Sequence, residues 1–414
     1  MKKKFILLLI VFLLCSCSKK TTKEEKIKKE ETYDMYAMPE EVQIDLNENV
    51  FNVFETHLSD ELINNANVEI LSSDELINDE IGEHTYTLLY QYDNKKYKYD
   101  ITYNIVDTTA PIFISAPGFF NAQVNEFEDM CHRIAYGDNY DAYPTCTVEG
   151  EYSFNNLGTY YLEFVIKDSS NNENRKAFTL NILEELPKPQ PSYSTPNYVY
   201  MDELLPYKNE NTSIGIDISK WQGNIDFNKV KEAGIEFVIM RIGVQIGPND
   251  EYGMDSKYQE YIKGAKEAGL KISVYVFANA SSEENGRNAA LWVIDALDGE
   301  KLDLPIAYDW EDWGDFNSYG MSLHTLSASY LAFEKTLNEH GYNAMLYSSK
   351  YYLENVWTNY ENTNIWLAHY VPETTYKGEF MLWQITSEAK IDGINDNTVD
   401  IDILYKGKEK VLEN

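Results

Sequence analysis

The feature that most limits what this chain can become is an alternation that begins at Thr212. Short apolar runs of strand type fall at Ile214 to Ile218, Phe237 to Ile242, Ile272 to Phe277, Ile306 to Asp309 and Ala344 to Tyr347. Between them lie stretches of helical period: Phe227 to Ala233, Lys257 to Ala268, Glu284 to Leu297 and Ser322 to His340. Gly234, Gly269 and Gly341 stand just past three of these, where a helix end favours positive φ. Strands that alternate with helices in this way build a parallel sheet. Three more strand-like runs follow, Ile365 to Tyr370, Met381 to Ile385 and Val399 to Leu404. The last two connections, of roughly 10 and 13 residues, hardly hold a crossover helix, so the final strands are expected to be antiparallel. Eight strands predict a barrel closed on itself, with an irregular last third.

In such barrels chemistry gathers at the carboxyl ends of the strands. The fourth run ends in Pro305-Ile306-Ala307-Tyr308-Asp309-Trp310-Glu311-Asp312-Trp313. Side chains alternate along a strand, so Asp309 and Glu311 point the same way. Two carboxylates on one face of a buried strand end repel, and at least one is expected to hold its proton towards neutral pH. One acid with a proton beside one without is what glycoside hydrolysis needs. Acids are common at solvated strand ends, so this pair alone says little. Asp217 in the first strand and Asp400 in the eighth change that, because those strands become neighbours when the barrel closes. Four acids then converge at one mouth.

The chain ahead of Thr212 has another character. Met1-Lys2-Lys3-Lys4 and ten apolar residues, Phe5 to Leu14, read as a secretory signal too short to span a bilayer. The run ends Leu14-Cys15-Ser16-Cys17, which resembles a bacterial lipobox and makes Cys17 the expected lipidated first residue. The expected layout is a signal over 1–17, a flexible polar tether over 18–38, β-domains over 39–107 and 108–184, a linker over 185–211 rich in proline, and the barrel over 212–406. The two β-domains are a repeat. Ile81-Gly82-Glu83-His84-Thr85-Tyr86-Thr87 matches Leu157-Gly158-Thr159-Tyr160-Tyr161-Leu162-Glu163, about 76 residues later, and a turn and a last strand follow each. Each unit is expected to be a small sandwich. The junction Val106-Asp107-Thr108-Thr109-Ala110-Pro111 resembles the join between tandem bacterial Ig-like domains, which are expected here as spacers, with ligand binding left open. Cys131 and Cys146, 15 apart in one exported domain, leave a disulfide and two buried thiols both open.

Net charge is −33, from 68 acidic and 35 basic residues, which argues against nucleic-acid binding. With four cysteines and six scattered histidines, no metal-ligand spacing appears.

The region from about 212 to 406 resembles glycoside hydrolase family 25, the muramidases of the Chalaropsis type. The likeness rests on Gly-Ile-Asp-Ile-Ser-Lys-Trp-Gln-Gly at 215–223, Phe-Val-Ile-Met-Arg at 237–241, Ala-Lys-Glu-Ala-Gly at 265–269 and Val-Tyr-Val-Phe at 274–277. It continues in Asp-Trp-Glu at 309–311, Trp-Leu-Ala-His-Tyr at 366–370, Trp-Gln at 383–384 and Val-Asp-Ile-Asp at 399–402. The resemblance implies an irregular α/β (TIM-like) barrel, so the whole is a multidomain chain with two small all-β Ig-like sandwiches ahead of it. It implies Glu311 as general acid, Asp309 as its partner carboxylate, and Asp217 and Asp400 as further active-site acids. Tyr275, Phe277, Tyr347, Trp366 and Tyr370 correspond to groove positions, and Arg241, Asp255 and Trp383 join them as substrate-binding candidates. The implied substrate is the β-1,4 bond between N-acetylmuramic acid and N-acetylglucosamine in peptidoglycan, cut without metal or organic cofactor. The expected protein is a monomer, lipid-anchored to the outer face of the bacterial cell membrane. Two segments depart from the family, Val244 to Met254 and Asp312 to Gly320, both rich in acid beside the mouth. Two other readings stay open: a glycan-binding surface protein without turnover, and a barrel glycosidase acting on another β-linked polysaccharide.

Overall fold

A computed structural model describes residues 34–37, 42–46, 69–73, 77, 80–92, 94–188, 197–247, 251–358, 360, 363–395 and 397–410. The expected signal with Cys17, most of the tether and residues 189–196 of the linker lie outside the described residues. The chain divides into two compact units, Met1–Val106 and Asp107–Asn414.

The second unit holds the barrel. Its wall consists of β1 (Thr212–Ile218), β2 (Phe237–Ile246), β3 (Lys271–Phe277), β4 (Ile306–Asp309), β5 (Ala344–Ser349), β6 (Asn364–Ala368), β7 (Leu382–Lys390) and β8 (Val399–Tyr405). Neighbours pair in that order, and β8 closes the ring by pairing with both β7 and β1. Helices α1 (Phe227–Glu232), α2 (Tyr258–Glu267), α3 (Glu283–Leu297) and α4 (Leu323–Glu339) follow the first four strands of the wall, and the short α5 (Lys350–Asn355) follows β5. Asp226, Ser282 and Ser322 cap α1, α3 and α4 by accepting from backbone N–H groups of the first turn. Gly234, Gly269 and Gly341 take positive φ behind α1, α2 and α4.

One expectation about the wall needs correcting. Only β8 is antiparallel; β7 runs parallel to β6. The chain crosses over from 369 to 381 without a helix, because Tyr376, packed against Phe380, is buried in the outer core there. The segment after β2 also differs from a plain loop. β2 continues to Ile246 and pairs with Glu251–Met254, and Tyr252 stacks on Trp292 of α3 at 5.1 Å.

Strand alternation splits the core in two. In β4, Ile306 and Tyr308 face the helices while Ala307 faces the barrel interior, with Phe237, Ile239, Met345, Tyr347, Trp366 and Leu382. The interior is full. A Cβ on Gly215 would lie 2.2 Å from the Phe237 ring, so glycine there makes room for the phenylalanine.

The repeat survives in three dimensions. In the first unit Lys95–Val106 pairs antiparallel with Gly82–Tyr92, which pairs with Glu69–Ser73, while Val42–Asp45 lies parallel on the far side. In the second, Glu173–Leu183, Gly158–Lys167, Thr145–Glu149 and Phe119–Gln123 repeat that order and those directions. Among the described residues the first unit shows one mixed sheet of five strands, where the sequence suggested a sandwich. Cys131 and Cys146 form a disulfide beside the four-stranded sheet.

A separate pair, Ile112–Ser115 with Ala135–Gly137, joins that sheet to the barrel. Phe113 and Tyr136 pack on the core of the four-stranded sheet, whereas Ile114 and Ala135 belong to the barrel's outer core. Tyr136 and Asn317 exchange two hydrogen bonds, backbone N–H to Oδ1 at 3.1 Å and Nδ2 to carbonyl at 3.0 Å. The Tyr351 hydroxyl donates to the Phe113 carbonyl at 3.0 Å.

Candidate active site

The acids sit where β1 and β4 end and the antiparallel β8 begins. Asp309 continues the inward face that carries Ala307 and is buried. Trp310 turns outward, fully buried against Trp313, Phe316 and Tyr319, and its Nε1 donates to the Ala280 carbonyl at 3.1 Å. That anchor throws Glu311 back over the mouth, where the residue meets solvent while the groove walls desolvate its carboxyl. Glu311 lines a groove of about 440 Å³ together with Tyr347, Ser349, Lys350, Tyr351, Glu354, Ala368, His369 and Tyr370.

Asp217 and Asp400 are direct register partners across β1 and β8. Asp402, two residues on, is fully buried and accepts from Trp366 Nε1 at 2.8 Å. Gln384 ties the interior together. Its Nε2 donates to Asp217 Oδ2 at 2.7 Å, and its Oε1 accepts from the hydroxyls of Tyr347 at 2.9 Å and Tyr370 at 2.8 Å.

Burial dominates the electrostatics. It pushes the Asp309 carboxyl well up, the negative charge of Glu311 adds to this, and Arg241 works against it. Asp217 is likewise pushed well up by burial and by the charges of Asp400 and Asp402, opposed by the Gln384 hydrogen bond. Burial lifts Glu311 above its ordinary value and Asp400 to about 7. Asp402 is raised by burial and then by the Asp400 charge. Five acids this close cannot all ionise, so the site holds protons at neutral pH and titrates as a set. Glu311 is the acid on the groove, and a proton there can reach a bound oxygen. Asp309 Oδ1 is buried and has no hydrogen-bond partner among the described residues.

The other candidates divide. Tyr275 and Trp366 pack edge to face in the interior, Tyr347 packs on Trp366, and Phe277 is the register partner of Asp309. Arg241 and Asp255 hold one another: Nη2 and Nε lie 2.7 and 2.9 Å from Asp255 Oδ2. Asp255 also accepts from the backbone N–H groups of Lys220 and Lys257, so it braces two loops beside the mouth. Trp383 does not reach the groove. Alternation along β7 puts Leu382 and Gln384 inside and Trp383 in the outer core, where its Nε1 donates to the His369 carbonyl at 2.9 Å. The side chain of the Trp-Gln pair that meets the acids is the glutamine. The sequence reading missed Gln384, Asp402 and Trp221, which is 70% exposed at the end of β1 under the Lys220 ammonium. Asp402 carries the same signal as Glu311, an acid two places from another on one strand face.

Residues 216–394 match the family described as glycosyl hydrolases family 25. The matched region contains β1 from its fifth residue, all of β2 to β7, and Asp217, Asp309 and Glu311. Over 195 residues the chain is 28% identical to an autolytic lysozyme of Clostridium acetobutylicum; the match takes in 47% of this chain and 56% of that protein. The chain thus spans little more than half the length of this relative. Among solved structures it is similar to the modular autolysin LytC from Streptococcus pneumoniae in complex with a synthetic peptidoglycan ligand, at 22% identity and a TM-score of 0.43, covering 59% of this chain and 56% of that one. It is also similar to a family 25 glycosyl hydrolase from Bacillus anthracis, at 19% identity and a TM-score of 0.41, covering 47% of this chain and 88% of that one.

Proposed function

We propose that this protein is a peptidoglycan hydrolase, an N-acetylmuramidase that cuts the β-1,4 bond between N-acetylmuramic acid and N-acetylglucosamine. The observation that carries the proposal is Glu311 on an open groove with the buried Asp309 two residues behind it, within the region that matches family 25. Glu311 protonates the leaving glycosidic oxygen. Its raised carboxyl keeps that proton available above the usual carboxylate range. As the bond breaks, positive charge grows at the sugar carbon, and Asp309 opposes it from the barrel interior. Asp217 and Asp400 tune the pair by their charge, and Gln384 holds Asp217 and the two groove tyrosines in place. The name of the Clostridium acetobutylicum relative, an autolytic lysozyme, supports this reading.

In the same proposal Cys17 carries the lipid, the protein works as a monomer on the outer face of the cell membrane, and the two β-repeats act as Ig-like spacers. The test is digestion of purified peptidoglycan by residues 18–414, with Glu311→Gln alongside and mass spectrometry of the borohydride-reduced products. Reduced muramic acid ends from the unaltered protein alone are the expected result. Reduced glucosamine ends would mean another glycosidase, and binding without release would mean a glycan-binding protein.

A further inference from the structure

Three loops of the second β-repeat bring together carboxylates that the active site does not use. Asp107 opens the unit, Asp138 follows Ala135–Gly137, and Asp168 follows Gly158–Lys167. All three residues are buried, at 6, 0 and 7% exposure, and one oxygen from each lies within 4.8 Å of the others.

The hydrogen bonds around them shape the loops without neutralising the cluster. Asp107 Oδ1 accepts from Thr109 N and Asn139 Nδ2, at 3.1 and 3.0 Å. Asp168 Oδ1 accepts from Asn172 N and its Oδ2 from Asn172 Nδ2, both at 2.8 Å. Asp138 Oδ1 accepts from the backbone N–H groups of Tyr140 and Asp141, at 3.0 and 2.7 Å. That leaves Asp138 Oδ2, which is buried and has no hydrogen-bond partner among the described residues. Asn139 Oδ1, on the amide bound to Asp107, is a second buried oxygen without one. No lysine or arginine pairs with Asp138 or Asp168 among the described residues. A fully buried acid with an idle oxygen beside two more acids costs stability unless a positive charge joins it.

We propose that Asp107, Asp138 and Asp168 bind a hard divalent cation, calcium in preference to magnesium, with Asn139 Oδ1 as a further oxygen ligand. The donors are all oxygen, which excludes softer metals. They come from three separate loops whose hydrogen bonds already set their directions, which suits the irregular shell of calcium better than the strict octahedron of magnesium. The ion also has work to do in the fold. The Asp138 carbonyl accepts from Leu323 N at 2.8 Å and the Asn139 carbonyl from His324 N at 3.2 Å, so the liganding loop caps the start of α4. A bound cation therefore fixes the loop through which the β-repeat grips the barrel.

The test uses the full chain stripped with EDTA. Calorimetric titration with calcium chloride is expected to show one equivalent bound, with magnesium at least tenfold weaker. Thermal unfolding in millimolar calcium should rise by several degrees over EDTA. Asp138→Asn keeps the oxygen that accepts from Tyr140 and Asp141. It should weaken calcium binding at least tenfold and lose the thermal response, yet unfold no earlier than the unaltered protein in EDTA, because a like charge has gone. Asp168→Asn, read the same way, guards against a local defect in one variant. Absence of binding at millimolar calcium would overturn the proposal. So would binding that both variants retain, or stabilisation of the stripped protein by protons alone, between pH 7 and 5, with no response to calcium.

Discussion

Replacing Gln384 with methionine isolates the glutamine's bridging role, because the side chains are close in volume and little cavity results. Three hydrogen bonds go. Tyr370 is 53% exposed, so water takes over its hydroxyl. Asp217 and Tyr347 are each 8% exposed and cannot be compensated in that way. A buried polar group left without its partner costs about 1–3 kcal/mol, so the two together give a loss of roughly 2–6 kcal/mol. At about 2 °C per kcal/mol for a unit of this size, the midpoint of unfolding should fall by roughly 4–12 °C. Tryptophan fluorescence reports the transition, since Trp366 and Trp383 lie on the strands concerned. The catalytic signature is separate from stability. The Gln384 bond is what opposes burial at Asp217, so its loss raises that carboxyl further and moves the acidic limb of kcat/KM to higher pH. Gln384→Glu should recover part of the stability below pH 5, where the protonated acid can both donate and accept. A midpoint within about 2 °C of the unaltered protein, with an unchanged pH profile, would refute the bridging role.

Stability of the barrel unit should fall as pH rises from about 4 to 7. Asp400 titrates near 7 folded against 3.8 unfolded, and Asp217, Asp309 and Asp402 are shifted the same way, so the folded state holds more protons across that window. Denaturant midpoints at pH 5.5 and 7.5 check this, and a higher midpoint at 7.5 would contradict it. Gly286→Ala should cost about 1–3 kcal/mol by urea unfolding, because its Cβ would lie 1.9 Å from the Ser329 carbonyl oxygen of α4. Trp221→Ala should raise KM for long glycan strands and leave stability within about 0.5 kcal/mol, since the ring is exposed. The alkaline limb of kcat/KM should lie above the ordinary glutamate value, because burial raises Glu311, and an acidic titrant near 4.5 would speak against Glu311 as the proton donor.

Much of the barrel was legible in the sequence because its strands are buried on both faces and read as unbroken apolar runs. β1 and β4 are buried at every position, and their ends fall within two residues of the expected ones. The two-residue period of β4 places Asp309 on the inward face, but Glu311 lies past the end of the strand, beyond the turn anchored by Trp310. The same period misled at Trp383, since a motif names residues without saying which of two neighbours faces inward. The direction of β7 was lost because connection length stood in for a helix that Tyr376 makes unnecessary. The docking of the β-repeat on the barrel left no local trace. Asn317 and Tyr136 are 181 positions apart, and neither stands in a pattern.

That docking bears on where such a chain can be divided. The stretch of chain around 185–211 looks like the seam between two interchangeable parts, but the parts share a core. A Cβ on Gly137 would lie 2.7 Å from Phe316 and 3.0 Å from Leu323, and Ile114 and Ala135 are buried among barrel residues. Phe316 belongs to the turn Trp313–Tyr319, which follows shortly after Asp309 and Glu311. Cutting the chain at the proline-rich stretch would bare an apolar patch next to the turn that follows Asp309 and Glu311. Separating the β-repeat from the barrel is therefore expected to cost stability, and the division between compact units falls earlier, next to Val106.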